Sequence, residues 1–375
     1  MKNISNLQGC FWAALLIVFF SCNSNETLEY HDRQEISPID SMDVKLPDSY
    51  NDINKWGYFY ENDEVFLYEF FENSNTDLVV NVLDFKHNKY EPSLVFQREG
   101  PDGYNSSGVS PMIINRDSIL IMGNDDKFLL YNSSAQKLAE YKYNSVDGQR
   151  FVSGVFNHIV FQDNRVLMPT INNTRWDDKY FYQKVMPVQY YSFVDQKFEE
   201  GVPYPEYLHG KFLWSNLYST KLSKMNDSLS IVDFRFSDSI RIYNSKDQAL
   251  ETIYMGLNNE LVLLDKVPSK LDEMKNLLTE KEYMYTMYQN GNLYRLASHL
   301  RKRSFKSNLS NFKSELPRVV TLIKYNMKTK EYDYYNMPIT RYFLPSKDKL
   351  IVGSITSWED ENQDTWRRFY IYDLN

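Results

Sequence analysis

Cysteine is almost missing from this chain. Of 375 residues only Cys10 and Cys22 are cysteines. Both lie close to the N-terminus, so the sequence beyond Cys22 holds no disulfide and no thiolate-ligated metal. Long hydrophobic runs are equally scarce, since after Cys22 no apolar stretch reaches membrane-spanning length. Positive charge is in deficit, with 42 Lys and Arg against 50 Asp and Glu and a net charge of −8. That balance argues against nucleic acid or another polyanion as partner. The five histidines, His31, His87, His158, His209 and His299, fit neither H-E-x-x-H nor any other metal-ligand spacing. The nucleophile elbow G-x-S-x-G and the phosphate loop G-x-x-x-x-G-K are also missing, so no motif marks a reaction.

One apolar run is present, over residues 11–20, preceded by Lys2 and followed by Ser21-Cys22. It is short for a membrane span, and a small residue before a cysteine suits a lipid-transferring signal peptidase. Residues 1–21 are therefore predicted to be a lipoprotein signal peptide, with Cys22 the lipidated first mature residue. The alternative is a retained signal anchor in which Cys22 is an ordinary residue. Several acyl chains on one cysteine give the stable anchoring that a single chain does not. Loss of Lys2 with the signal takes the net charge from −8 to −9. The expected location is the cell envelope, anchored by lipid in the outer membrane, on either its periplasmic or its surface face. Residues 22–35 read as a tether and residues 36–375 as a single folded domain.

About 350 residues exceed one simple core, so two domains or a repeat are expected. A repeat is there. Its unit is a polar turn, an apolar strand, a variable loop, and a second strand ending in an aromatic residue beside Asp or Asn. The turns begin at Asn62, Arg116, Asp163, Asn226, Asn290 and Lys347, and the second strands close at Phe85, Asn132, Asp195, Asn244, Asn326 and Asp373. The first five copies continue through a polar hairpin into a further β-rich segment; the sixth stops at Asn375. Units of four strands spaced by roughly 45 to 65 residues predict an all-β, six-bladed β-propeller. The missing outer strand of the last blade is expected from residues 36–46, which would close the ring and remove an open edge. A two-sheet sandwich is the competing architecture, but it does not need six matching units. Residues 270–283 break the pattern and read as a helical insertion, capped by Ser269 and Asp272, with Leu271, Met274, Leu277 and Leu278 on one stripe.

The lipobox, the length, the six units and the loop Arg98-Glu99-Gly100-Pro101-Asp102-Gly103-Tyr104 together resemble the DUF4221 family of Bacteroidetes lipoproteins, neighbours of the TolB-like six-bladed propellers. The resemblance covers nearly the whole chain. It implies a propeller in the cell envelope and brings no reaction or catalytic residue with it.

In a propeller the loops joining the second and third strands of a blade emerge on the same face as the loops joining successive blades. Three long segments are expected there, over residues 172–189, 297–318 and 357–366. They carry Trp176, Asp177 and Asp178, then Arg301 and Arg303, then Trp358, Asp360 and Trp366. The turn with Arg98, Asp102 and Tyr104 should reach the same face, or else serve as a structural turn. Aromatic rings beside carboxylates and guanidinium groups suit glycan or peptide recognition. Solvated decoration is the plainer reading. No cofactor is expected. Ca²⁺ at Asp177-Asp178 or Glu359-Asp360-Glu361 is the one metal considered, and an acidic surface loop explains those residues as well. Asp-Ser before an apolar residue, at Ser41, Ser118, Ser228 and Ser239, resembles an O-glycosylation signal of Bacteroidetes, with Ser41 the best placed.

Three functional classes follow. The first is a binding or scaffolding lipoprotein for a glycan, a peptide or an envelope protein. The second is a hydrolase or lyase acting at the central channel, because fold alone does not decide. The third is a purely structural part of an envelope assembly, marked by an apolar surface patch.

Overall fold

The computed structural model describes residues 33–48, 55–106, 109–123, 127–142, 150–151, 160–162, 164–171, 174–175, 177–211, 220–246, 248–257, 282–300 and 318–374. Two strands precede the first blade, β1 (Gln34–Glu35) and β2 (Asp40–Lys45). Blade one holds β3 (Lys55–Glu61), β4 (Glu64–Glu72), β5 (Leu78–Asp84), β6 (Lys89–Tyr90) and β7 (Leu94–Phe96). Blade two holds β8 (Ser110–Asn115), β9 (Ser118–Met122), β10 (Lys127–Tyr131) and β11 (Lys137–Lys142). Blade three comprises β12 (Arg150–Phe151), β13 (Val160–Gln162), β14 (Arg165–Ile171), β15 (Val188–Ser192) and β16 (Lys197–Val202), with a one-turn helix α1 (Phe181–Lys184) before β15. Blade four comprises β17 (Thr220–Lys224), β18 (Leu229–Phe234), β19 (Ser239–Asn244) and β20 (Leu250–Tyr254). Blade five is β21 (Glu282–Gln289), β22 (Asn292–Leu300), β23 (Arg318–Asn326) and β24 (Tyr332–Met337). Blade six is β25 (Thr340–Ser346), β26 (Lys349–Glu359) and β27 (Thr365–Asp373). Six sheets result, antiparallel within each blade, and the chain is a six-bladed β-propeller.

The repeated Asx has a local cause. At the end of the third strand its side chain caps the hairpin to the fourth, since Asp84 Oδ1 accepts the N–H of Lys86 and of His87. Asn132 Oδ1 serves Ser134 and Gln136, Asn244 serves Lys246, and Asn326 serves Lys328 and Thr329. Blade three substitutes Ser192, whose Oγ accepts the N–H of Asp195. Each hairpin then places one residue at positive φ, namely Asn88, Ala135, Gln196, Gln248 and Lys330. The aromatic before the Asx packs between blades, as Tyr131, Tyr243 and Tyr325 are all buried.

The ring closes as the sequence pattern requires. β2 runs antiparallel to β27, from Asp40 opposite Ile371 to Lys45 opposite Trp366, as the fourth strand of blade six. Val44 and Leu46 sink into the core, while Asp43 grips Arg368 through two bonds of 2.7 and 2.8 Å. β1, at the end of the segment read as a tether, lies parallel to β24 and widens blade five to five strands. Arg33 NH1 donates to His299 Nε2 at 3.0 Å. Ser41, on β2, is exposed.

Two expectations change. Residues 270–281 lie outside the described residues, but Glu282 and Tyr283, the end of the expected helix, belong to β21. They pair with Ser298 and Ala297, and Tyr283 is buried beneath Arg295. Of the loop expected over residues 297–318, residues 297–300 instead extend β22 and Arg318 opens β23, and Thr321 Oγ1 meets His299 Nε2 at 3.0 Å. Cys22 lies outside the described residues. Among those residues no helix is long and apolar enough to cross a membrane.

Candidate functional site

Strand direction gives the propeller two unlike ends. At one end lie tight turns between strands one and two and between strands three and four. At the other, which we term the loop end, strand two passes to strand three and the chain crosses to the next blade. Six charged residues are buried among the described ones: Glu69, Asp84, Lys221, Asp233, Arg295 and Arg367. Asp84 caps a hairpin at the turn end, whereas the other five direct their charges at the loop end. A buried charge is costly unless paired and hydrogen-bonded, so these five explain how the loop end is built.

Between blades four and five, Arg295 is wholly buried and binds the Asp233 carboxylate through Nε and NH2. It also donates to the carbonyls of Met255 at 2.8 Å, Phe234 at 3.3 Å and Ser237 at 2.7 Å. The second oxygen of Asp233 accepts the Thr286 hydroxyl. The Arg295 guanidinium lies 3.4 Å from the centre of the Tyr283 ring, and that phenol donates to Asp238. Beside this pair, Lys221 Nζ donates to the carbonyls of Tyr283 and Met284. Those carbonyls sit at an irregularity in β21, where the pairing with β22 slips between Tyr283 and Tyr285. Burial, with Arg235 and Arg295 nearby, brings the Lys221 ammonium down to about 8, against the pull of Glu282 and Asp233.

Between blades six and one, Tyr342 donates to Glu69 Oε1 and accepts from Arg367 NH1, which lies 3.7 Å from that carboxylate. Tyr90 donates to the other Glu69 oxygen at 2.6 Å. Aromatic rings join the two clusters across the inner strands. Tyr342 meets Trp56 at 5.4 Å, Trp56 meets Tyr285 at 5.3 Å, and Lys221 Nζ stands 5.1 Å over Tyr285. All three rings are buried, so at this end the inner strands of blades four, five, six and one are bound by one continuous chain of contacts.

Among the described residues, those singled out from sequence fall into three separate sets of contacts, at the crossing from blade one to blade two, before α1, and at the β26–β27 hairpin. Arg98, Asp102 and Tyr104 belong to the crossing from blade one to blade two. That loop turns at Gly100, with positive φ, and folds tightly at Gly103, where a Cβ would stand 2.7 Å from the Arg98 carbonyl oxygen. Tyr104 is 0% exposed, and its hydroxyl donates to the Thr76 carbonyl. Burial pushes that phenol up to about 12. The N–H of Arg98 is bound by Asp77 at 3.2 Å. Asp102 reaches blade two, accepting the N–H of Lys137 through Oδ1 and the Tyr131 hydroxyl through its carbonyl. The loop is a clasp between two blades.

Asp177 and Asp178 open the turn before α1. Asp177 pairs with Arg175 through two bonds of 2.9 and 2.6 Å, and that bonding holds its carboxyl below the usual range. Asp178 is lowered by the N–H of Tyr180 and by Lys184, both at Asp178 within 2.9 Å. Trp176, Arg301 and Arg303 lie outside the described residues.

Trp358 and Trp366 face each other across the β26–β27 hairpin. Asp360 closes its tip, accepting the N–H of Asn362 and of Asp364 at 2.9 Å and the Trp366 indole N–H at 3.0 Å. Partial desolvation raises the Asp360 carboxyl, and these donors outweigh it, so the net movement is downward. Lys45 on the closing strand pairs with Asp364 at 2.8 Å. Among the described residues no three Asp, Glu, His or Cys side chains come together to hold a metal ion.

The buried charges of the floor were missed in the sequence reading, though a signal existed. Three of them interrupt an apolar run: Glu69 within Leu67-Tyr68-Glu69-Phe70, Asp233 within Ile231-Val232-Asp233-Phe234, and Arg295 within Leu293-Tyr294-Arg295-Leu296.

No family model and no curated protein matches the sequence. Solved structures do match. A DUF4221 member from Bacteroides vulgatus, at 15% identity, is similar over 91% of this chain and 99% of its own, with a TM-score of 0.70. A luciferin-regenerating enzyme at 10% identity covers 90% and 96% with a TM-score of 0.44. A protein of unknown function from Bacteroides caccae, also at 10%, covers 80% and 94% with a TM-score of 0.39. The resemblance read from the lipobox, the six units and the Glu-Gly-Pro loop thus meets its structural counterpart: this chain has the fold of a DUF4221 propeller.

Proposed function

We propose that the protein is a cell-envelope lipoprotein whose propeller is a recognition or scaffolding module, anchored through Cys22 and presenting its loop end to a glycan, a peptide or an envelope protein. One observation carries this reading. At the loop end the inner-strand side chains Trp56, Tyr285, Tyr342 and Lys221, with Arg295 on the neighbouring strand, are consumed in packing and in bonds to one another and to backbone carbonyls. Among the described residues the β26–β27 hairpin faces outward with an exposed indole at Trp358, and its tip is held by Asp360. A hairpin fixed by its own bonds suits binding, because little order has to be gained there when a partner arrives.

The test is thermal unfolding of residues 24–375 against Ca²⁺, a chelator, neutral oligosaccharides and short peptides of either charge. A ligand of the folded state raises the midpoint. A rise with one sugar or peptide class, lost on loop-end substitutions, supports recognition. A chelator-sensitive midpoint would move the reading toward a metal-bearing site. No shift with any compound would refute small-ligand recognition and leave only a folded protein partner, to be sought by cross-linking in the envelope.

A further inference from the structure

We propose that the blade-six hairpin is a docking site for a cationic, amphipathic segment of a partner protein. The proposal rests on the recognition reading above and names the occupant of one part of the loop end. β26 is the longest strand of the molecule, at 11 residues, and it continues past the body of its blade. Gly353 pairs with Phe369 and the next pair is Ser357 with Arg367, so four steps along β26 match two along β27. The surplus residues bulge outward. The bulge is held by Ser354, whose Oγ meets Thr356 Oγ1 and accepts the Thr356 N–H, both at 3.1 Å.

Ile355, within the bulge, is 54% exposed. Ile339, 49% exposed, precedes Thr340, whose partner in the ladder is Ser354, so both isoleucines stand at the same end of the β25–β26 pair. Trp358, 39% exposed, follows on the same strand. Single exposed apolar residues need no explanation; three on one hairpin and its neighbouring turn form a patch. The indole is fixed, because the Arg368 guanidinium stands 5.4 Å over its ring and is itself held by Asp43.

The charges select the occupant. Asp360 is occupied within the tip and Asp364 by Lys45, while Glu359 and Glu361 are exposed with no ion-pair partner among the described residues. An apolar ridge beside two unneutralised carboxylates complements a segment that carries apolar and cationic side chains together. A glycan fits less well. Arg368 already covers one face of Trp358, and the polar groups of Asp360 and Trp366 are satisfied inside the hairpin.

The experiment uses residues 24–375 and fluorescence anisotropy of a labelled synthetic Lys/Leu amphipathic peptide, with a Glu/Leu peptide and neutral oligosaccharides alongside. The Lys/Leu peptide should bind and weaken as salt is raised. Trp358→Ala should cost about tenfold in Kd, and the Glu359→Gln, Glu361→Gln pair about fivefold with a shallower salt dependence. These exposed positions should leave the melting temperature unchanged, which serves as the folding control. Lys/Leu binding indifferent to both variants would overturn the proposal while leaving recognition elsewhere on the loop end intact. Binding of an oligosaccharide or the Glu/Leu peptide that depends on Trp358 would also overturn it. No binding by any probe would overturn the proposal, while the recognition reading stands or falls separately, on the thermal screen and on cross-linking to a folded partner.

Discussion

Between the first and second blades the buried facing side chains are Phe66, Phe70, Phe96, Tyr104, Ile113, Ile121 and Tyr131, crossed by phenols that meet carbonyls, such as Tyr68 to Pro111 at 3.2 Å, while the ion pairs of Arg116 with Glu61 and Glu91 stay half-exposed. Between the fourth and fifth blades the same kind of surface holds Lys221, Asp233, Thr286 and Arg295. The two joints face one packing problem with different chemistry. Burial of apolar area is non-directional and accepts any neighbour of suitable shape. A guanidinium satisfied by one carboxylate and three carbonyls accepts a single arrangement. Six similar blades could in principle pair with the wrong neighbour, and a polar joint discriminates among neighbours where an apolar one does not. Specificity rather than stability is the effect to look for, because a buried ion pair is often no more stabilising than a hydrophobic replacement.

The contrast can be broken most severely at Arg295. Arg295→Met leaves Asp233 buried without its partner and should cost about 3–5 kcal/mol in denaturant unfolding. The Arg295→Met, Asp233→Leu pair should recover much of that loss and shift the change toward misassembled or dimeric species on a sizing column. A double variant as unstable as the single one, and wholly monomeric, would end the specificity argument. In the apolar joint, Phe96→Ala should cost about 3–4 kcal/mol through lost burial and the cavity left behind. It should produce no misassembly; if it did, the two joints would not differ in kind.

Lys221 sharpens the comparison through pH. Its folded pKa of about 8 lies below the ordinary lysine value of 10.5, so between those values the unfolded chain binds the extra proton. Below pH 8 the full penalty applies, and stability should rise as pH climbs from about 8 to about 10.5, by up to about 3 kcal/mol relative to Lys221→Met. Comparing the two proteins at each pH cancels the ionisation of buried tyrosines, which both share. Parallel stability curves would show that the ammonium is not desolvated. The smallest effect is expected at the clasp, where Tyr104→Phe removes one bond to Thr76 and should cost about 1 kcal/mol. A null result there would mean that shape alone holds the loop.

These same regions differ in how legible they were. The strand-end Asx residues and the turns at Asn62, Arg116 and Asn290 revealed the blades, because a hairpin is dictated by its own few residues. Val44 and Leu46 could be assigned to the missing strand because the blade count left one edge open. The five buried charges were opaque for the opposite reason. Whether Arg295 faces water or Asp233 depends on how strands far apart in sequence are placed, and local pattern does not carry that. The Arg98–Tyr104 loop shows the same limit. Its Gly-Pro and Asp-Gly pairs identified a turn, but Tyr104 reads as an exposed ring until Phe96, Val109 and Tyr131 are seen around it. Helical spacing over residues 270–283 misled at its end, where Glu282 and Tyr283 pair with β22.

The strand that completes blade six is made long before its partner β27. Asp40 waits for Ile371 while the intervening chain is translated. Through that interval β2 has no native edge to bind, so a chaperone that holds extended segments would act on this strand. A chain cut short at any point before β27 would carry β2 unpaired. An exposed β2 is therefore a ready mark by which proteases could distinguish incomplete chains from finished ones.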